Sequence, residues 1–200
     1  MAAVIPDPKK TRSFSTAVAF EKWLSAEHDR ESELWLKIHK KGSKLPTVTY
    51  AEALDVALSW GWIDGLKKSF DEMSFLQRFT PRRAKSIWSQ VNREHVARLI
   101  REGRMTTQGL AQVDAAKRDG RWDNAYASPS KMELPDDLKV AIAASKKATE
   151  TLAKLDRPSR FALAFRVQNM KTVAGRKKKI DGFVALLKKG EGPFGKPKVK

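Results

Sequence analysis

Along the first 130 residues the hydrophobic positions switch between the periods of helix and strand. Phe20, Trp23 and Leu24 recur at i, i+3, i+4 and predict an amphipathic helix over residues 16–27. Residues 33–40 alternate instead, setting Leu34, Leu36 and Ile38 on one face of a half-buried strand and Trp35, Lys37 and His39 on the other. Gly42 and Pro46 break it. Thr49-Tyr50-Ala51-Glu52 is a capping box, in which hydroxyl and carboxylate each satisfy an orphan amide. The helix that follows carries Ala53, Leu54, Ala57 and Leu58 and stops at Gly61, a left-handed C′ position. A second strand starts at Trp62-Ile63-Asp64-Gly65. A third covers 74–80, with Phe75, Gln77 and Phe79 on one face, Arg78 on the other, and Pro81 at its end. Two helices follow, over 89–102 (Val96, Leu99 and Ile100 inward) and 106–119 (Leu110 and Val113 inward), each ahead of a glycine. The fold class is α+β, with a small antiparallel sheet packed against helices.

Residues 124–134 lack periodicity and read as a linker. Beyond them Leu138 and Ile142, Leu152 and Leu155, Phe161 and Phe165, and Ile180, Phe183, Val184 and Leu187 mark four short helices. The expected organisation is an N-terminal arm (1–12), an α+β domain (13–123), the linker, a helical domain (135–190) and a disordered basic tail (191–200).

Composition adds constraints. Hydrophobic residues at 41% suffice for a packed core, and the absence of cysteine excludes disulfides and thiolate chemistry. No basic n-region precedes an apolar stretch and no window approaches the ~18 apolar residues of a membrane span, so the expected location is the cytoplasm. The net charge of +17 is uneven: residues 1–130 carry +6 and residues 131–200 carry +11. Solubility needs only about 2–8 charges, so the excess points to an anionic partner: nucleic acid, an anionic lipid surface or an acidic protein.

The strings LWLKIHKK, TYAEALDVALSWGWIDGLKKS, FLQRFTPRRAKSIWSQVNREHV, LIREGRMTTQGL and AAKRDGRWDNAY, spanning 34–126, resemble the bacterial YdeI/OmpD-associated, or bacteriocin-protection, family. Residues 136–190 resemble the small helical domain named for the same family. That domain usually carries Lys-x-x-x-Thr-Arg-x-x-Arg-Ile at the start of its last helix; here Gly175 stands for the threonine and Lys179 for the second arginine. The resemblance implies a role in resistance to bacteriocins or antimicrobial peptides. It carries over no catalytic residue.

Three constellations can carry chemistry. Around Trp60-Gly61-Trp62-Ile63-Asp64-Gly65, Trp62 and Asp64 share a strand face, and pairing with the neighbouring strand would add Trp35, Lys37 and His39 in a pocket closed by Arg82 and Trp88. The same residues also read as a tryptophan-rich minor core with Asp64 bonded to a nearby lysine or amide. Arg78, Arg82, Arg83 and Lys85 with Trp88 form a cationic strand exit fit to grip phosphate, or else a solvated turn paired to Glu52, Asp71 or Glu94. Arg176, Lys177, Lys178 and Lys179 oppose the macrodipole of the last helix, a conflict that a bound anion relieves; a helix starting earlier, near Val173, removes it as well. His28, His39 and His95 are not at metal-ligand spacing, and no GxSxG, P-loop or GxGxxG occurs, so no metal, cofactor or catalytic residue is assigned. A polyanion-binding module, an enzyme for a small anionic substrate and a stress-resistance protein acting through a partner all remain open.

Overall fold

A side-chain hydroxyl starts each α-helix of the first unit in the computed structural model, which describes residues 4–128 and 131–197. Thr16 accepts from the Ala19 amide ahead of α1 (Ala17–Glu27), and Ser89 accepts from Asn92 ahead of α3 (Gln90–Arg101). Thr106 accepts from Gly109 ahead of α4 (Thr107–Arg118), and Thr49 with Glu52 closes the full capping box of α2 (Tyr50–Ser59). The expected helices thus sit where their caps put them.

Four strands make one sheet in the order β1 (Thr11–Arg12), β2 (Leu34–His39), β4 (Ser74–Pro81), β3 (Trp62–Ser69). Pairing is antiparallel across β2, β4 and β3, while β1 joins β2 in parallel, so the sheet is mixed. Residues 11 and 12, expected in the N-terminal arm, are thereby tied down by backbone pairing, which leaves no side-chain signature. Leu34, Leu36 and Ile38 lie opposite Phe79, Gln77 and Phe75, and cross-strand partners share a face. That face packs on Phe20 and Leu24 of α1 and on Ala53, Val56 and Ala57 of α2. A bulge between Asp64 and Lys67 interrupts β3, and the buried Gln77 amide donates to the Gly65 carbonyl there at 3.1 Å.

A second cluster lies on another stripe of α2, where Leu54 and Leu58 meet Trp88, Val96, Leu99, Val113 and Ala116. Two expected inward positions are corrected: Ile100 and Leu110 are 44% and 38% exposed. Gly109 and Ala116 take the inward places on α4, because α4 approaches the end of α2 too closely for a large side chain. A Cβ on Gly109 would stand 2.1 Å from the Ser59 carbonyl oxygen.

The chain divides into two compact units, Met1–Ala125 and Tyr126–Lys200. The second holds α5 (Asp136–Ala143), α6 (Lys146–Lys154), α7 (Arg157–Gln168) and α8 (Val173–Lys188) around Leu138, Ile142, Leu155, Leu163, Val167, Ile180, Phe183 and Leu187. Phe161 and Phe165 are only half-buried, since α7 turns Leu163 and Val167 inward instead. The expectation of a disordered tail is corrected for residues 191–197. Gly192 and Gly195 exchange amide-to-carbonyl bonds of 2.7 and 3.1 Å, and the Glu191 amide donates to Leu186. Residues 198–200 of that expected tail lie outside the described residues. No helix among the described residues is long and apolar enough to cross a membrane.

Candidate anion-binding site

The strand exit after β4 is where cations and tryptophans meet. Gly61, at φ +74°, ends α2 and accepts the Arg82 amide at 3.0 Å, which fixes the start of the loop. A tight turn follows: the Arg83 amide donates to Ser86 Oγ at 3.0 Å and the Ser86 amide returns to the Arg83 carbonyl at 2.8 Å. Arg82 is buried, its guanidinium carbon 3.5 Å from the Trp88 ring centre and its Nη1 donating to the Ile87 carbonyl at 3.4 Å, so a ring face and a backbone carbonyl both meet its charge. Trp88 is buried in turn and meets Trp122 edge-on, with ring centres 4.9 Å apart.

Trp122 comes from beyond α4. Gly120, at φ +76°, turns the chain back so that the Trp122 amide caps the Ala116 carbonyl at 3.0 Å. Arg93 of α3 and Lys117 of α4 stand 5.2 and 5.8 Å from the Trp122 ring centre. Arg121 ties this corner to the loop by donating to the Ser86 carbonyl at 2.8 Å, and it pairs with Asp119 at 2.8 Å. Burial raises and the Arg121 hydrogen bonds and charge lower the Asp119 carboxyl, with the net below its ordinary value. Arg83, Lys85, Arg93 and Lys117 make no ion pair with a carboxylate among the described residues. The result is a cationic cap built on a tryptophan pair, with its unneutralised charges turned to solvent or to ring faces.

The other expected residues are spread elsewhere. Arg78 is not part of this cap: it donates to Glu33 at 2.6 Å and lies on the sheet face of Trp35. The Trp62/Asp64 pocket does not form. Those two residues do share a face, but Trp62 is 1% exposed in the main core, edge-on to Trp23 at 6.0 Å, and Asp64 accepts from the Tyr50 hydroxyl at 2.8 Å. β4 separates β3 from β2, and Trp35, Lys37 and His39 alternate to the opposite face, so they cannot join Trp62. Trp35 is fully buried, Lys37 pairs with Asp71 at 3.4 Å, and the half-buried His39 ring has no partner for Nδ1 among the described residues.

In the second unit α8 begins at Val173, with Thr172 as its hydroxyl cap, so Gly175 costs the helix no cap. Arg176 and the lysines after it therefore lie beyond the first three residues, away from the free amides. Arg176 grips Asp137 through two bonds of 2.6 and 2.9 Å and donates to the Val167 carbonyl at 3.0 Å. Lys177, itself exposed, pairs with Asp181 at 2.8 Å and Lys179 stands over Phe183, while the exposed Lys178 makes no ion pair among the described residues. Arg176 is a structural clamp.

Residue patterns missed a further cluster. Asp55 on α2 accepts from His95 at 2.7 Å and from Arg98 at 2.7 and 2.6 Å, which pins α3 to α2. Burial raises its carboxyl, but the Arg98 and His95 bonds outweigh that and hold it below the ordinary value. The available signal was an aspartate between Leu54 and Val56, on a helix buried on two stripes.

Residues 12–112 match the model of a domain of unknown function (DUF8412), and residues 131–190 match the bacteriocin-protection, YdeI or OmpD-associated family. The N-terminal strings that resemble the latter family thus fall largely under the former, while the helical segment carries the bacteriocin-protection match itself. No curated protein and no solved structure matches the chain. With half of its length covered by the first model, the chain belongs to the DUF8412 family and carries a bacteriocin-protection, YdeI or OmpD-associated domain at residues 131–190.

Proposed function

We propose that this is a binding protein that acts through a polyanionic partner, with the cap around Trp88 and Trp122 as its contact and nucleic acid as the partner class that fits it best. The observation that carries this reading is that Arg93 and Lys117 stand over Trp122 while the exposed Arg83 and Lys85 lie on the loop leading into Trp88, none of the four ion-paired to a carboxylate among the described residues. Such cations gain by releasing counterions from phosphates, and the half-buried Trp122 offers a base an apolar surface. The family description of the second domain adds a theme of protection. Many bacteriocins and antimicrobial peptides are cationic, and a chain of net charge +17 repels them, so protection on this reading is indirect and runs through the anionic partner.

Salt dependence tests it. If these four side chains each neutralise a phosphate, log Kobs falls with log salt at a slope of about −3.6 on duplex DNA and about −2.8 on a single strand. Between 50 and 200 mM salt that is a loss of roughly 150-fold or 50-fold, read by fluorescence anisotropy. Arg83→Glu with Lys85→Glu lowers the slope. No binding of DNA or RNA at 50 mM salt, or a flat response, overturns the proposal.

A further inference from the structure

The second unit carries a cleft of about 460 Å³ that the cationic cap does not involve. Its floor is the α7 stripe of Pro158, Phe161, Ala162 and Phe165, and its far wall is Phe194 on the turn that closes residues 191–197. Phe161 and Phe165 stack at 5.4 Å, and Tyr126 meets Phe165 edge-on at 4.9 Å, so the floor is aromatic. Phe194 is 66% exposed, an unusual position for a phenylalanine held against a cleft.

Two arginines bracket this apolar surface. Nine residues of helix place Arg157 and Arg166 roughly 13 Å apart along the axis and on opposite flanks of the aromatic stripe. Arg166 is poised 5.4 Å over the Phe194 ring. Arg160 between them spends its donors on the Leu155 and Ala153 carbonyls, whereas Arg157 and Arg166 make no hydrogen bond or ion pair among the described residues. The cleft is also open: Arg157, Pro158, Arg166 and Phe194 are all exposed. A small ligand there keeps much of its surface in water, unlike one in an ordinary ligand pocket, which is mostly enclosed. A chain laid across the groove suits the shape better.

We infer that the cleft docks an extended peptide segment in which two acidic residues flank an apolar core. At about 3.3 Å per residue, carboxylates four positions apart point to the same side and match the roughly 13 Å between the two arginine positions, while the residues between them cover Phe161, Phe165 and Phe194. The apolar centre supplies affinity, and the paired arginines fix register and reject basic sequences. This reading does not rest on the nucleic-acid proposal and involves none of its residues.

The test uses the ¹⁵N-labelled full chain and an end-blocked peptide Glu-Phe-Leu-Phe-Glu. Binding is expected to shift the amides of residues 157–166 and 192–195. Arg157→Glu with Arg166→Glu should weaken binding by at least about tenfold, and Phe194→Ala by roughly fivefold, with the circular dichroism unchanged. Arg83→Glu with Lys85→Glu should leave it as it is, which separates failure here from failure of the polyanion reading. The inference is overturned if the peptide shifts other amides or none, or if a Lys-flanked peptide binds as well. It is equally overturned if 4-phenylbutyrate matches the peptide at the same amides, since the site would then be one for small acids.

Discussion

Gly109→Ala adds a single methyl group where α4 crosses the end of α2. The new carbon would sit 2.1 Å from the Ser59 carbonyl oxygen and 2.8 Å from both the Ser59 carbonyl carbon and Met105 Cε. Met105 can swing away, but the Ser59 peptide cannot, because its oxygen also accepts from the Thr106 hydroxyl at 2.6 Å and the Thr106 amide at 3.1 Å. Relief requires α4 to back off and loosen those bonds. Overpacking costs about 1–3 kcal/mol, the two weakened bonds add about 1 kcal/mol each, and alanine returns about 1 kcal/mol of helix propensity. The net expectation is a loss of about 2–4 kcal/mol, or a urea midpoint lower by roughly 1–2 M. All six tryptophans lie within residues 1–125, so tryptophan fluorescence reads this unit alone. Gly182→Ala is the control. Its Cβ meets nothing within 4 Å inside α8, so the chain should gain up to about 1 kcal/mol of helix stability, read as a loss of helical circular dichroism that comes at higher urea than in the parent. A Gly109→Ala protein as stable as the parent, or a destabilised Gly182→Ala, would refute the reasoning.

Two other expectations concern clamps. Asp55 has a depressed carboxyl in the folded state, so its contribution is complete above its unfolded value of about 4 and disappears as pH falls through the folded one. Asp55→Asn should therefore cost about 1–2 kcal/mol at neutral pH by urea titration, with the gap to the parent closing below about pH 4; a gap constant with pH contradicts the assignment. Arg176→Lys keeps the charge but loses the fork on Asp137, so the urea midpoint of the second unit should fall by a few tenths of a molar, while Lys178→Ala leaves it in place. Equal midpoints for the two variants would remove Arg176 from its structural role.

The helices were legible because periodicity and caps are local. Thr49, Ser89, Thr106 and Gly61 announce boundaries within a few residues of themselves, and the structure puts the boundaries there. Alternation likewise sorted Phe75, Gln77 and Phe79 from Arg78. It could not say which strand neighbours which, and that is why Trp62 was grouped with Trp35: chain order suggested adjacency, and β4 came between them. Trp35 shows a second limit. A period of two separates faces without revealing that both are covered. At the site, Arg82, Arg83, Lys85 and Trp88 stood out as one run of sequence, but Arg93, Lys117 and Trp122 arrive from two other helical segments. Only tertiary packing brings them together. In the second unit the opposite error occurred: a contiguous basic run looked like a ligand site, although Asp137 lies 39 residues from Arg176 in sequence and no local pattern pairs them.

The placement of α2 has one more consequence. One stripe of this ten-residue helix completes the sheet core and an adjacent stripe completes the cluster beneath the tryptophan cap. The two clusters therefore have a common wall and cannot melt independently: a cavity opened on either side loosens the same helix. The first unit unfolds as one cooperative block in which sheet and cap stand or fall together. A partner that clamps the cap raises the free energy of opening β2 and β4, strands it never touches.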